Sequence, residues 1–139
     1  MAQLTPDNAF ELSNRFRDTA IALGDWRMEN RASLSRSQWK ELDDLEITLL
    51  NTASSLYTKA IGLSLADSDA ALARLQASVE SAKSAVKHIA KFKHALDLAS
   101  ALILFAGAVT SGNAAGIPVA VVALEDAAGA IIGSDDLEE

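Results

Sequence analysis

The sequence predicts an all-α fold, a four- to five-helix antiparallel bundle with an apolar C-terminal helical hairpin. Apolar residues recur at helical spacing over long stretches, and Gly and Pro are scarce before residue 107. An alternating β-branched run occurs only at Val119–Val122. Because 139 residues suffice for one core, we expect a single helical domain over residues 1–133 and a flexible acidic tail over residues 134–139.

The first helix is predicted to begin after Thr5. Thr5 suits the N-cap, and Pro6 suits the first helical position because its missing N–H would be unpaired there in any case. Asp7 lies near the positive end of the helix dipole, which it stabilises. One face of this helix carries Leu12, Phe16, Ala20, Leu23 and Arg27.

The second helix has the clearest start signal in the chain. Ser35 and Gln38 match a capping box, in which each side chain accepts a hydrogen bond from the other residue's backbone N–H. Leu34 and Trp39 occupy the two positions of a hydrophobic staple around this box. The apolar stripe that follows predicts a helix packed on one side, and it contains Trp39, Leu42, Leu49, Ala53, Leu56, Ala60 and Leu63.

A third helix is predicted to open at Asp67 or Ser68. Its apolar seam alternates steps of three and four residues, as in antiparallel bundles, and comprises Leu72, Leu75, Val79, Ala82, Val86 and Ile89. Lys93 interrupts this seam, which resumes one position earlier at Phe92. We therefore expect the helix to run past residue 100, with a bend or rotation near residues 92–93.

Residues 98–124 contain no charged side chain. The stretch SGNAAGIP divides this segment into two arms of about a dozen residues, each too short to span a membrane alone. Pro118 suits the first turn of a last helix that is predicted to end near Gly133. A buried hairpin is favoured, because helices that are apolar all round occupy the centre of a bundle. The alternative is a membrane-inserting hairpin over residues 95–133, shielded by the amphipathic helices until its release.

Charge is distributed unevenly along the chain. The net charge is −7, and residues 97–139 hold seven acids and no base, whereas residues 67–96 hold five bases and three acids. An acidic protein lacks the clustered Lys and Arg that bind phosphates, so nucleic acid is not expected as a partner. The start MAQLTPDNAF lacks the basic end and apolar run of a signal peptide, so export by that route is not expected and a cytoplasmic location is. The absence of cysteine leaves the redox compartment open, because a chain without thiols is indifferent to it.

Two charged clusters are the candidate partner-binding residues. The basic cluster is predicted to form a stripe on one helix face and comprises Lys83, Lys87, Lys91 and His94. The acidic cluster lies in the first turns of the second helix and comprises Glu41, Asp43, Asp44 and Glu46. The basic stripe suits an acidic partner or anionic lipid headgroups. The alternative is that both clusters are solvated surfaces that pair with each other across neighbouring helices.

The sequence offers no catalytic, cofactor or metal site. His88 and His94 are six residues apart and point to different faces of a helix, so they do not form the i, i+4 pair that binds zinc. The stretch SGNAAGIP precedes a helix, but it has no Lys and no preceding strand, unlike a phosphate-binding loop. We therefore expect a non-enzymatic protein without a cofactor.

The expected function is binding to a protein partner. Small acidic helical proteins of this kind serve as inhibitors, immunity proteins or chaperones that occupy a partner's surface, an association made at the level of the fold. The apolar content also fits a homodimer. The alternative function is that of a membrane-inserting or pore-forming protein. Low pH should then favour insertion, because Asp97, Glu125 and Asp126 flank the uncharged segment of the hairpin and must lose their charge or stay at the interface.

Overall fold

Five helices account for most of the chain that the computed structural model describes, namely residues 2–3, 5–60, 64–65, 68–111 and 116–137. Their bounds are α1 Pro6–Glu29, α2 Arg36–Ala60, α3 Ser68–Val86, α4 Phe92–Thr110 and α5 Ile117–Leu137. A short 3-10 turn, Arg31–Ser33, lies between α1 and α2. The predicted all-α bundle with an apolar C-terminal hairpin is confirmed.

The first two helices begin at the predicted caps. Thr5 has an extended backbone, and its side-chain oxygen accepts a hydrogen bond from the amide of Asn8 at 3.1 Å. The capping box of α2 closes in both directions: the Gln38 amide donates to Ser35 Oγ at 3.1 Å, and the Ser35 amide donates to Gln38 Oε1 at 3.0 Å. These bonds satisfy amides that a helix leaves without an internal partner, so the start of each helix is fixed locally.

The predicted continuation of the third helix past residue 100 is wrong, because α3 ends at Val86 and α4 begins at Phe92. The end of α3 tightens into hydrogen bonds between residues three apart, from the amides of Lys87, His88 and Ile89 to the carbonyls of Ser84, Ala85 and Val86. The carbonyl of Ile89 then accepts a buried hydrogen bond from Trp26 Nε1 at 3.0 Å. In a continuous helix the Lys93 amide would occupy that carbonyl, so Trp26 stabilises the break.

The last helix is longer than predicted. It continues to Leu137, four residues beyond the predicted end at Gly133 and into the segment predicted to be a flexible tail. Gly133 does not adopt the left-handed conformation with which a glycine usually ends a helix. Val119–Val122, the one stretch with a strand-like pattern, lies inside α5. The predicted turn residues 112–115 lie outside the described part of the chain.

Two short strands, which the sequence analysis did not predict, join the start of the chain to the α2–α3 connection. They are β1 Ala2–Gln3 and β2 Ser64–Leu65. The strands are antiparallel, with Ala2 opposite Leu65. This pairing holds the segment before α1 near the start of α3.

The helices form a ring in which neighbours in space are not always neighbours in sequence. The order around the ring is α2, α1, α3, α5, α4, and α4 packs against α2 to close it. Arg15 pairs with Glu80 at 2.9 Å, and three residues further along both helices Asp18 lies 3.9 Å from Lys83. This constant offset shows that α1 and α3 run parallel, whereas consecutive helices reverse direction.

One apolar core fills the ring, and the described part of the uncharged segment contributes to it. From α4 the large side chains that are fully buried are Leu98, Leu102, Phe105 and Val109. The opposite side of α4 exposes Asp97, Ser100, Leu104 and Gly107. Helix α4 therefore has one core face and one outer face of mixed polarity.

Helix α4 is also long and apolar enough to cross a membrane, judged by length and composition alone. Over a stretch of 18 residues this helix has a mean hydropathy of 1.5, and 44% of that stretch is buried inside the bundle. A core helix of a soluble bundle meets the same criterion.

Candidate functional site

The predicted partner-binding residues lie toward one end of the bundle, where α1 and α3 end and α2 and α4 begin. Because consecutive helices reverse direction, these four termini come together there. The connection of residues 87–91 crosses this end from α3 to α4. The end therefore combines residues from the first, second, third and fourth helices.

The acidic cluster of α2 faces α1 and solvent, and not α3. Asp43 and Glu46 contact Arg27 of α1, with oxygens 3.2 and 2.8 Å from its Nη2 atom. Asp44 pairs with Lys40 on its own helix at 3.6 Å, and Glu41 is exposed. The predicted pairing of this cluster with Lys83, Lys87, Lys91 and His94 is wrong, because none of the described ion pairs joins the two clusters. The reason is the ring order, which places α1 between α2 and α3.

The basic cluster does not form one stripe on one helix. Lys83 lies in the last turn of α3, while Lys87 follows its final residue and Lys91 is the N-cap of α4. His94 lies in the first turn of α4, so the helix break divides the predicted stripe between two helices. Lys83 is 3.9 Å from Asp18 across the α1–α3 contact, and Lys87 and Lys91 are exposed.

A groove of about 380 Å³ separates the ends of α1 and α3, and we call it the α1–α3 groove. Trp26, Val86 and Ile89 form its apolar floor; each is at least nine-tenths buried. The groove also includes the two predicted lysines Lys83 and Lys87. Its floor is rigid, because the Trp26–Ile89 hydrogen bond joins the two sides.

The walls of this groove carry charges of opposite sign. Lys83 and Lys87 lie on the α3 side, and Asp25 and Glu29 lie on the α1 side. Asp18 lies beside Lys83, and Asp25 is seven residues further along α1, about 10 Å nearer the end of the bundle. The groove therefore has a basic wall on the α3 side and an acidic wall on the α1 side.

The acidic wall of the groove was not predicted from the sequence. Asp25 and Glu29 have i, i+4 spacing at the end of α1, and this spacing is visible in the sequence. Nothing in the sequence shows that α1 lies beside α3, so these acids were not associated with Lys83 and Lys87.

A second charged cluster surrounds Arg27, whose side chain is only 11% exposed. Its guanidinium carbon lies 4.3 Å from the ring centre of Trp39, within the range of a cation–π contact. A side chain at Gly24 would collide with the Glu46 carboxylate, whose Cδ lies 2.6 Å from the position of an added Cβ. The absence of a side chain at Gly24 thus lets Glu46 approach α1 and pair with Arg27.

His94, a member of the predicted basic cluster, does not lie on the exposed surface with the lysines. Its side chain is half-buried, and its Nδ1 atom is buried without a hydrogen-bond partner among the described residues. His94 is therefore turned partly into the bundle, away from Lys83 and Lys87, which line the groove without it.

The described residues contain no group of three or more His, Asp or Glu side chains placed to hold a metal ion. Hydrogen bonds to Glu125 raise the pKa of Arg74 above its ordinary value, and a hydrogen bond to Glu11 does the same for Arg15. Both groups are arginines in surface ion pairs, which stay charged at physiological pH. These two shifts therefore do not indicate acid–base catalysis.

The structure defines this chain as a five-helix bundle with a charged groove at one end. Comparison with protein-family models, with curated proteins and with solved structures finds no match to it.

Proposed function

We propose that this protein is a non-enzymatic binding module that occupies the surface of a partner protein through the α1–α3 groove. The observation that supports the proposal is the make-up of this groove, an apolar floor between walls of opposite charge. An apolar centre with a charged rim is typical of contacts between proteins. The fold-level association with small inhibitors, immunity proteins and chaperones supports the same class.

The charge pattern of the groove restricts the partner. A matching surface carries an apolar side chain for the floor of the groove, an acid facing Lys83 and Lys87, and a base facing the acids of α1. Complementary charges raise the rate of association and reject surfaces of the wrong polarity. The complex should therefore weaken as the salt concentration rises, mainly through slower association.

The experiment that tests the proposal compares two variants with equal changes of charge. The groove variant combines Lys83→Glu with Lys87→Glu, and the control combines Lys91→Glu with Lys93→Glu, which do not line the groove. All four lysines are exposed or half-exposed, so both variants should fold. Each immobilised protein is incubated with an extract of the native cells, and the retained proteins are identified.

We expect the unmodified protein and the control variant to retain the same partner and the groove variant to lose it. A partner that all three proteins retain equally would place its contact elsewhere and contradict the proposal. Recovery of no specific protein by the unmodified chain would also contradict it. A cytoplasmic location belongs to this proposal, and fractionation of the native cells checks it.

A second candidate function is membrane insertion of the α4–α5 hairpin, and the observation that favours it is the apolar length of α4. Four lysines lie in residues 83–93, between the last turn of α3 and the first turn of α4, where they suit anionic headgroups. This function is tested by flotation with anionic and with neutral liposomes, each at neutral pH and at about pH 5. Co-flotation with anionic liposomes supports insertion, and background binding under all conditions excludes it. Sedimentation of the lipid-free protein determines whether it is a monomer or a homodimer.

A further inference from the structure

A separate pocket of about 310 Å³ lies where the chain turns from α1 into α2. We call it the arginine pocket, and it is lined by Arg31, Leu34, Ser35, Arg36 and Trp39. It shares no lining residue with the α1–α3 groove. An inference about this pocket therefore does not rest on the proposed function of the groove.

The Trp39 ring is a fixed wall of this pocket. Arg27 stacks on the ring at 4.3 Å, and the charge of Arg27 is already neutralised by Asp43 and Glu46. Because Arg27 is nearly buried and held by two carboxylates, it has little freedom to move. The ring that it supports is thus held in place before any ligand arrives.

Arg31 lies over the same ring, with its guanidinium carbon 5.2 Å from the ring centre. This distance is within the range of a cation–π contact, which restricts the side chain without using its N–H donors. An arginine that is already oriented loses less conformational entropy when it forms hydrogen bonds. Arg31 is therefore preorganised for an acceptor above Trp39.

Neither Arg31 nor Arg36 has an acidic partner among the described ion pairs. Three other arginines of this acidic protein, Arg15, Arg27 and Arg74, pair with carboxylates. The pocket is thus lined by two arginines whose charge no described carboxylate neutralises. Each has five N–H donors in a planar fork, an arrangement that matches the oxygens of a carboxylate or a phosphate.

We propose that the arginine pocket binds an oxyanion, a carboxylate or a phosphate, that is attached to an apolar or aromatic group. Arg31 and Arg36 bind the oxyanion, while Trp39 and Leu34 pack against the apolar group. A volume of about 310 Å³ accommodates a small ring with its oxyanion. Contact with Trp39 and Leu34 adds affinity that a bare inorganic ion cannot gain.

The test uses benzoate, phenyl phosphate and inorganic phosphate as probes and the two indole N–H signals in the NMR spectrum as readout. The chain has two tryptophans, and the Trp26 N–H is held in a buried hydrogen bond to Ile89. A ligand in the pocket should shift the Trp39 signal and leave the Trp26 signal in place. The Trp26 signal thus serves as an internal control in every titration.

Two variants accompany the unmodified protein. The pocket variant combines Arg31→Gln with Arg36→Gln, and the control is Arg17→Gln, whose exposed guanidinium contacts Ser54 and not the pocket. We expect a ring-bearing probe to bind at least about tenfold more tightly than inorganic phosphate. The pocket variant should lose at least about tenfold in affinity, and the Arg17→Gln control should bind as the unmodified protein does.

Either preference between the ring-bearing probes supports the proposal, since stronger binding of benzoate identifies a carboxylate and stronger binding of phenyl phosphate identifies a phosphate. Absence of a Trp39 shift with every probe overturns it, as does an equal shift in the pocket variant. Inorganic phosphate that binds as tightly as phenyl phosphate overturns the role of Trp39 and Leu34. None of these results depends on whether a protein occupies the α1–α3 groove.

Discussion

Gly24 shows at the residue scale how two helices come close enough for a buried ion pair. An alanine favours a helix interior over glycine by about 1 kcal/mol, so Gly24 costs α1 some intrinsic stability. In return the Glu46 carboxylate reaches Arg27, which would otherwise keep only Asp43 as an acidic partner among the described ion pairs. The sequence shows the glycine but not the carboxylate beside it.

Gly24→Ala should lower the free energy of unfolding by about 1 kcal/mol, because the loss of the Arg27–Glu46 pair outweighs the gain in helix propensity. In the background of Glu46→Ala the same substitution should raise it by about 0.5–1 kcal/mol, since the obstacle is gone. Urea unfolding of the four proteins measures both values. The same sign in both backgrounds would show that Glu46 does not approach Gly24 in this way.

Trp26→Phe should destabilise the protein by about 1–3 kcal/mol, because it leaves the buried carbonyl of Ile89 without a donor. Trp39→Phe provides the comparison, since no described hydrogen bond involves its indole N–H and the expected loss is about 1 kcal/mol or less. Chemical denaturation followed by circular dichroism measures both. Equal losses for the two variants would contradict a structural role for the Trp26–Ile89 bond.

At the scale of elements, the sequence predicted the features that depend on contacts between residues close in the chain, such as the starts of helices. The caps at Thr5 and Ser35 depend on residues three positions away, and both appear as predicted. The break between α3 and α4 depends on Trp26, more than 60 residues distant, and it was predicted as a bend. The phase shift at Lys93 indicated the position of the irregularity, but no sequence signal indicated its partner.

The two faces of α4 give a test of its environment. Leu104→Lys should change the free energy of unfolding by less than about 0.5 kcal/mol, because Leu104 is 53% exposed on the outer face. Leu102→Lys should destabilise by more than about 3 kcal/mol, because Leu102 is fully buried. Thermal and urea unfolding compare them. A severe loss for Leu104→Lys would show that another surface covers the outer face of α4.

On the scale of the whole molecule, the ring order determines which charges meet. The composition and the helical periodicity are sufficient to predict the class of fold, because apolar stripes on amphipathic helices must be buried. Composition and periodicity do not determine the order of the helices around the ring, because the apolar seam of α3 could pack equally well against any of the other helices. For this reason the basic residues Lys83 and Lys87 were associated with the acids of α2 and not with Asp25 and Glu29 of α1.

Cross-linking tests the parallel contact of α1 and α3. The chain has no cysteine, so Asp18→Cys with Lys83→Cys introduces the only two thiols. We expect a short bismaleimide reagent to join them rapidly in the native protein, because these side chains approach within 3.9 Å. Asp18→Cys with Ser100→Cys is the control, since Ser100 lies on the outer face of α4 and should react slowly. Equal rates for the two pairs would contradict the ring order.

The position of α3 between the first and the last helices has a consequence for synthesis of the chain on the ribosome. The apolar seam of α3 packs against α1 on one side and against α5 on the other. Helix α5 begins about 30 residues after α3 ends. At a synthesis rate of roughly 5–20 residues per second, the side of α3 that packs against α5 therefore stays exposed for several seconds. During that interval the nascent chain exposes an incomplete core. Chaperones that bind apolar helices should therefore engage this protein before α5 emerges and release it afterwards.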